Sequence, residues 1–311
     1  MTARSLGWAV LPVLMHAAAA MPVAAAPARA EAQVEFDHAL RDFDEAQRLQ
    51  NDQPDRARQL FRSAAQRFIS IAAGGVVNGR LEFNIGNCLL QAGDVGRAIL
   101  HYRRAQRLIP RDPLLADNLS VARSRCLTQI QPTRRSEFFK SVFFWHYQTA
   151  LATRFQVGLV LYVAVWVLLS ARSVARRRWL TVCAVVAASL AGACGASVAA
   201  ERWFERNAPE AVVTAMDVVV YKGPGTGYQR QFEQPLQPGV ECTVRERRGT
   251  WWNVELADGN SGWIEANSAE LIVGEDAGQA PVYLRRGRAQ ADSLRSWDRF
   301  SSRSSRCVRG A

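Results

Sequence analysis

Two long uncharged stretches constrain this chain more than any other feature. "FQVGLVLYVAVWVLLSA", Phe155 to Ala171, carries no charge over 17 residues, and "WLTVCAVVAASLAGACGASVAA", Trp179 to Ala200, none over 22. A helix needs about 20 consecutive apolar residues to cross a bilayer. Both stretches therefore read as transmembrane helices (155–171 and 179–200), the alternative being two buried helices of a soluble domain. Between them "RSVARRR", residues 172–178, packs Arg172, Arg176, Arg177 and Arg178 into a short loop. Short loops rich in Arg and Lys stay cytoplasmic, so the pair reads as a hairpin with its tip in the cytoplasm. Arg134, Arg135, Lys140 and Arg154 on the outer flank pull the other way, but they are more dispersed. The aromatics of "FFKSVFFWHY", within a linker over 131–154, suit an interfacial belt. Ala188, Gly192 and Ala196 form a small-residue stripe that lets two helices approach closely.

The start of the chain agrees with that orientation. "MTARSLGWAVLPVLMHAAAAMPVAAAPARA" has an early Arg4, an apolar stretch and an Ala28-Arg29-Ala30 pattern, and reads as a signal peptide over 1–30. An uncleaved anchor is the alternative, and either one exports the chain beyond residue 30. The expected location is a bacterial inner membrane, with the regions on both sides of the hairpin exported.

Charge narrows the partners. The chain has 39 Lys+Arg against 28 Asp+Glu, a formal net charge of +11. The excess peaks in the stretch after Pro281, where eight arginines face two aspartates, and residues 274–311 read as a disordered basic tail. No zinc-finger spacing, RNP-like strand or basic amphipathic helix supports nucleic acid, so a membrane surface is the simpler partner. Six scattered cysteines form no CxxC, neither a disulfide framework nor a zinc site. Whether a pair of them forms in an oxidising compartment stays open. Cys88 reads as a small core residue.

Residues 31–130 are helical by pattern. In "LEFNIGNCLLQAGDVGRAILHYRRAQRLIPRDP", small Gly86, Ala98 and Ala105 fall where the two helices of a 34-residue tetratricopeptide unit touch, with Ile85, Leu89, Tyr102 and Leu108 filling the gaps. Gly93 makes the turn and Pro110 closes the unit. Upstream, Ala57, Phe61 and Ala64 repeat the second-helix spacing, while the first helix near Phe36 to Leu49 is degenerate. "PLLADNLSVARSRC" starts a third unit or a cap. Asn84 and Asn118 occupy the same repeat position, and with Asn87 they are candidates for a groove in which amides grip a partner's backbone. The alternative has them bonded to neighbouring turns.

From 209 to 273 short alternating runs are broken by turn residues, the pattern of a small antiparallel barrel. "KGPGTGY" is a loop because its glycines and proline break a strand ladder, and Asp258-Gly259 signals a hairpin. The order of a valine strand, this loop, a Leu236 to Gly239 turn, Trp252 to Val254, Asp258-Gly259 and Gly262 to Ile264 resembles bacterial SH3-type domains. A barrel this small needs at least one core tryptophan. Tyr228 with Trp251 or Trp252 is the candidate aromatic ledge for a peptide or for cell-wall stem peptides.

The whole order, carried by Asn84-Ile85-Gly86-Asn87, Gly96-Arg97-Ala98-Ile99, Tyr102, Arg104-Ala105 and Asn118-Leu119, resembles the BatE-type tetratricopeptide proteins of bacterial Bat aerotolerance operons. The resemblance spans roughly 31–273 and implies partners: von Willebrand factor A-domain membrane proteins and a MoxR-type AAA+ ATPase. It supplies no catalytic residues. No Walker loop, HExxH, GxSxG or GxGxxG occurs, and the histidines, His16, His38, His101 and His146, are isolated, His101 reading as a helix-surface residue. No cofactor or metal is expected. The fold class is multidomain: an all-α helical repeat, a two-helix transmembrane hairpin and a small all-β SH3-like barrel. The expected function is that of a non-enzymatic adaptor. The alternatives are a peptidoglycan-binding sensor and, third, a redox-linked role for the cysteines.

Overall fold

A computed structural model describes residues 26–128, 130, 149–175 and 177–273. Most of the expected signal peptide, linker positions 131–148 and the tail from 274 onward lie outside the described residues. The helical region comprises α1 (Ala26–Leu49), α2 (Pro54–Ala73), α3 (Gly79–Gln91), α4 (Val95–Leu108) and α5 (Pro113–Ser124). The starts of α2 to α5 have local causes. Asn78, Asp94 and Asp112 cap α3, α4 and α5 by accepting backbone N–H groups, and Pro54 and Pro113 open α2 and α5, where no N–H is needed. Gly93 takes φ +87° in the turn from α3 to α4, a conformation that favours glycine.

Aromatic pairs set the first crossing, with Phe36 5.5 Å from Phe68 and Phe43 5.3 Å from Phe61 between ring centroids. Gly86 sets the second: a Cβ there would lie 2.5 Å from the Tyr102 ring, so only glycine lets α3 and α4 close around that side chain. His101 is buried rather than on the surface, its Nδ1 2.7 Å from Glu82 Oε2 on α3.

Helices α6 (Leu151–Ala175) and α7 (Arg178–Asn207) are both long and apolar enough to cross a membrane. Few of their residues are buried by the rest of the protein, whereas the core helices of a soluble domain are mostly buried. They pack together on a seam of Leu180, Ala184, Ala187 and Ser197. Gly158 of α6 sits against Cys194 in the same seam. Ala188, Gly192 and Ala196 face away from it, which corrects the expected stripe. The register is set at the helix ends, where Arg154 donates to Ser197 Oγ at 2.7 Å and pairs with Glu201.

After α7 the chain forms β1 (Glu210–Val213), β2 (Glu241–Arg248), β3 (Trp251–Leu256), β4 (Ser261–Glu265) and β5 (Ala269–Leu271). They make one antiparallel sheet in the order β4-β3-β2-β1-β5. Gly259 at φ +89° and the Asp258 side chain, accepting from the Asn260 N–H at 3.0 Å, close the β3–β4 hairpin.

The helical region and the sheet do not stand apart as separate modules. One contiguous apolar cluster runs from Phe36 to Ile272. Helix α4 is the joint. Its inner face (Ala98, Tyr102 and Ala105) packs within the helical region, while Gly96 and Ile99 press on the turn before β2. A Cβ on Gly96 would lie 2.8 Å from Pro238 Cβ and 3.0 Å from Val213 O. Ile99 in turn fills the space beside Gly239. Around this contact Arg103 reaches Glu210 at 2.7 Å and Glu241 at 3.0 Å, and Arg123 of α5 reaches Glu241 at 2.7 Å. Arg104 donates to the carbonyls of Leu271 and Ile272 at 2.9 and 3.2 Å, which covers the exposed edge of β5. Arg107 pairs with Glu201 at 3.1 Å and with Glu205, tying the same helix to the end of α7. Cys126 seals the rim, its thiol 3.3 Å from Pro238 O.

Gly96→Val should force this joint apart without touching the interior of either half. The expected result is a loss of about 1–3 kcal/mol and new protease cleavage between α5 and β1 in the folded protein. An unchanged digestion pattern would show that the joint does not hold the halves together.

Candidate functional site

The three asparagines expected to line a groove lie in the interior. Asn84 and Asn87 are fully buried and Asn118 is 1% exposed. Asn87 Oδ1 accepts from Tyr102 Oη at 2.7 Å and from Asn118 Nδ2 at 2.8 Å, a buried network linking α3, α4 and α5. Burial and the Cys88 side chain beside it push the Tyr102 phenol well above its ordinary range, so it stays a donor. Asn84 differs: both atoms of its carboxamide are buried without a hydrogen-bond partner. None of the three presents an amide to solvent, so a partner reaching them would first have to separate α3 from its neighbours.

The barrel divides its aromatic residues between two faces. Successive side chains of a strand point to opposite sides, so Trp251 and Trp252 cannot share a ledge. Trp252 lies opposite Arg247 and Ile264 in the ladder, packs on the core and has the Arg247 guanidinium 5.1 Å from its ring centroid. Trp251 points the other way and meets Tyr221 edge-on at 5.6 Å.

Trp263 lies on that second face. It stands opposite Asn253 in the ladder, and its backbone exchanges two 2.8 Å hydrogen bonds with Tyr221. It is only 6% exposed yet stands apart from the main core cluster. Arg248 covers it, the guanidinium 5.3 Å from the ring centroid while its Nε donates to Glu246 at 2.7 Å. Tyr228, 55% exposed, belongs to the adjoining loop. Its ring lies on Gly223, where a Cβ would sit 2.4 Å away.

Tyr221, Trp251 and Trp263 under Arg248 thus form one outer aromatic face. Tyr221, Trp263 and Arg248 were absent from the sequence-based site. Strand parity held the signal, because Trp251 and Asn253 share a side and Trp263 pairs with Asn253. Trp263 is covered, so the surface this face offers comes from the half-buried Tyr221 and Trp251 with Arg248 at the rim, which suits amide planes, sugar rings or carboxylate-bearing peptides.

Three of the described cysteines, Cys88, Cys126 and Cys242, are held in the less reactive thiol form. Cys88, Cys126, Cys183, Cys194 and Cys242 are free. Burial raises the Cys88 and Cys126 thiols and pushes Cys242 up to about 12, and the thiolate is the reactive species. Maleimide should leave Cys88 and Cys242 unmodified in the native protein and react after denaturation, read by intact mass. Native labelling of either would contradict the packing described.

The two adjacent tryptophans should separate in their effects. Trp252→Ala should cost about 2–4 kcal/mol in a thermal or denaturant melt, and Trp251→Ala about 1 kcal/mol or less. Equal losses would refute the two-face arrangement. Asn84→Leu should raise stability by about 1 kcal/mol, since an apolar replacement removes an unpaired buried amide. A fall would mean that the amide is served by a water or ligand. Comparison with known proteins is consistent with the barrel: residues 215–269 match the family model described as bacterial SH3 domain. No curated protein and no solved structure matches the chain.

Proposed function

We propose that this chain is a non-enzymatic, membrane-anchored adaptor of the BatE type, whose tetratricopeptide-like helices and SH3-like barrel act as a single docking body. The observation that carries this reading is the α4 joint. The helical region precedes α6 and the barrel follows α7, yet they touch through Arg103, Glu210 and Glu241. Parts in contact share one side of a membrane, so the chain between them crosses an even number of times. Two apolar helices meet that requirement as a hairpin.

The charge pattern supports an exported body. The tip arginines fall at the cytoplasmic end under the positive-inside rule. Arg154, which opposed that orientation in the sequence, is met by Glu201. Trp179 and Trp203 are about 36 Å apart along α7 at 1.5 Å per residue, close to the separation of two interfacial belts. Both rings are about 60% exposed. The tetratricopeptide reading is supported by the glycine-to-tyrosine crossing of α3 and α4. The barrel's outer face, rather than the buried asparagines, is the docking surface within reach.

Crosslinking and affinity capture of the full chain from native membranes tests this. Recovery of von Willebrand factor A-domain proteins with a MoxR-type ATPase, lost on Gly96→Val, is the expected result. Recovery that survives opening of the joint would refute the single-body mechanism.

A second reading has the face of Tyr221, Trp251 and Trp263 bind peptidoglycan, favoured by its flat aromatic surface and Arg248. Cosedimentation of the detergent-solubilised chain with purified peptidoglycan, abolished by Trp251→Ala and retained by Trp252→Phe, would support it. No cosedimentation would remove it.

A further inference from the structure

The tip of the α6–α7 hairpin holds a cavity of about 360 Å³ lined by Leu169, Arg172, Ser173 and Arg178. Its volume lies within the roughly 300–1,000 Å³ of ligand pockets. Two arginines line it, and among the described residues no acidic side chain pairs with either. The sequence has no Asp or Glu between Glu137 and Glu201, and Glu201 is at the far end of α7, about 35 Å from Arg178 along the helix. The start of α7 adds to the field. Its capping residue, Arg177, places no side-chain acceptor on the first backbone N–H groups; Leu180 N–H donates to Arg177 O at 3.2 Å, and those of Arg178 and Trp179 are placed to meet an anion. The Ser173 hydroxyl donates to Ser170 O at 2.7 Å, so the arginines and the helix end are the available donors.

The position of the cavity selects among anions. Leu169 makes one wall apolar, and the uncharged run ends at Ala171. A soluble anion has no use for the apolar wall, whereas a lipid phosphate carries glycerol and acyl carbons beside its charge. We propose that this cavity binds the phosphodiester of an anionic phospholipid, held by Arg172, Arg178 and the N-terminus of α7. The proposal rests on α6 and α7 spanning a membrane. The bound headgroup fixes the depth of the hairpin tip and neutralises the charge of Arg172 and Arg178.

The test uses the full chain. Alkaline extraction of native membranes first separates the premise from the proposal: release of the protein would refute the spanning reading, and with it this site. The retained protein is then placed in nanodiscs of phosphatidylcholine with phosphatidylglycerol, and bound lipid is counted by native mass spectrometry. Wild type should keep one phosphatidylglycerol. The double variant Arg172→Gln/Arg178→Gln should weaken retention about tenfold or more, equivalent to about 1.4 kcal/mol. The charge-matched variant Arg176→Gln/Arg177→Gln should retain the lipid. Equal loss in both variants would overturn the site in favour of diffuse charge attraction. Displacement of the lipid by inorganic phosphate at comparable concentration would assign the cavity to free phosphate instead.

Discussion

The architecture hangs on α4, a helix of 14 residues that serves several partners at once. Its small and aromatic residues fill the helical region, and its arginines reach β1, β2, the end of β5 and the end of α7. Arg103 is the central contact: one guanidinium shared between two carboxylates, with coulombic attraction to Glu210 and Glu241 outweighing the cost of burial and raising its pKa. An isolated surface ion pair contributes about 0–1 kcal/mol. This one is partly screened, so its energy is modest and its main effect is geometric. Removing the arginine would take this partner from Glu210 and leave Glu241, on the same side of the joint, paired with Arg123. The apolar contact beneath, Gly96 and Ile99 against Pro238 and Gly239, supplies the burial that the ion pairs align.

That division explains which parts were legible in the sequence. Elements governed by local spacing could be read directly: the two uncharged helices, the glycine and alanine positions of α3 and α4, and the Asp258-Gly259 hairpin with its flanking strands. Strand parity was also present, yet two adjacent tryptophans look like one feature until alternation is applied. Trp251 and Trp252 then part to opposite faces, and Trp263 joins the former. The asparagines misled for a related reason. A shared repeat position identifies a helix face, but only packing decides whether that face is open. Here α5 lies close enough to α3 for Asn118 to bond Asn87.

The joint itself was hidden because it depends on residues far apart in the chain. Arg103 and Glu210 are 107 positions apart, with both apolar helices between them. Nothing in the spacing of Arg97, Arg103, Arg104 and Arg107 distinguishes a solvated basic face from one that receives a barrel. Arg154 carries the same lesson. By sequence it is an outer-flank charge against the expected orientation, whereas in the fold it is a buried partner of Ser197 and Glu201.

Chain connectivity makes these long-range contacts affordable. Closing a flexible loop costs entropy that grows slowly with its length, and ordering each added residue costs more. Once α6 and α7 pair, Arg154 and Glu201 meet, and the start of one helix lies beside the end of the other. The stretch between α7 and β1 is then short, because α7 ends at Asn207 and β1 begins at Glu210. The short connection keeps β1 beside the end of α7, and Arg107 engages Glu201 and Glu205 next to the point where Arg103 engages Glu210. The α6–α7 pair and the joint support one another: Arg107 on α4 holds the end of α7, and Arg154 of α6 meets that same end through Glu201.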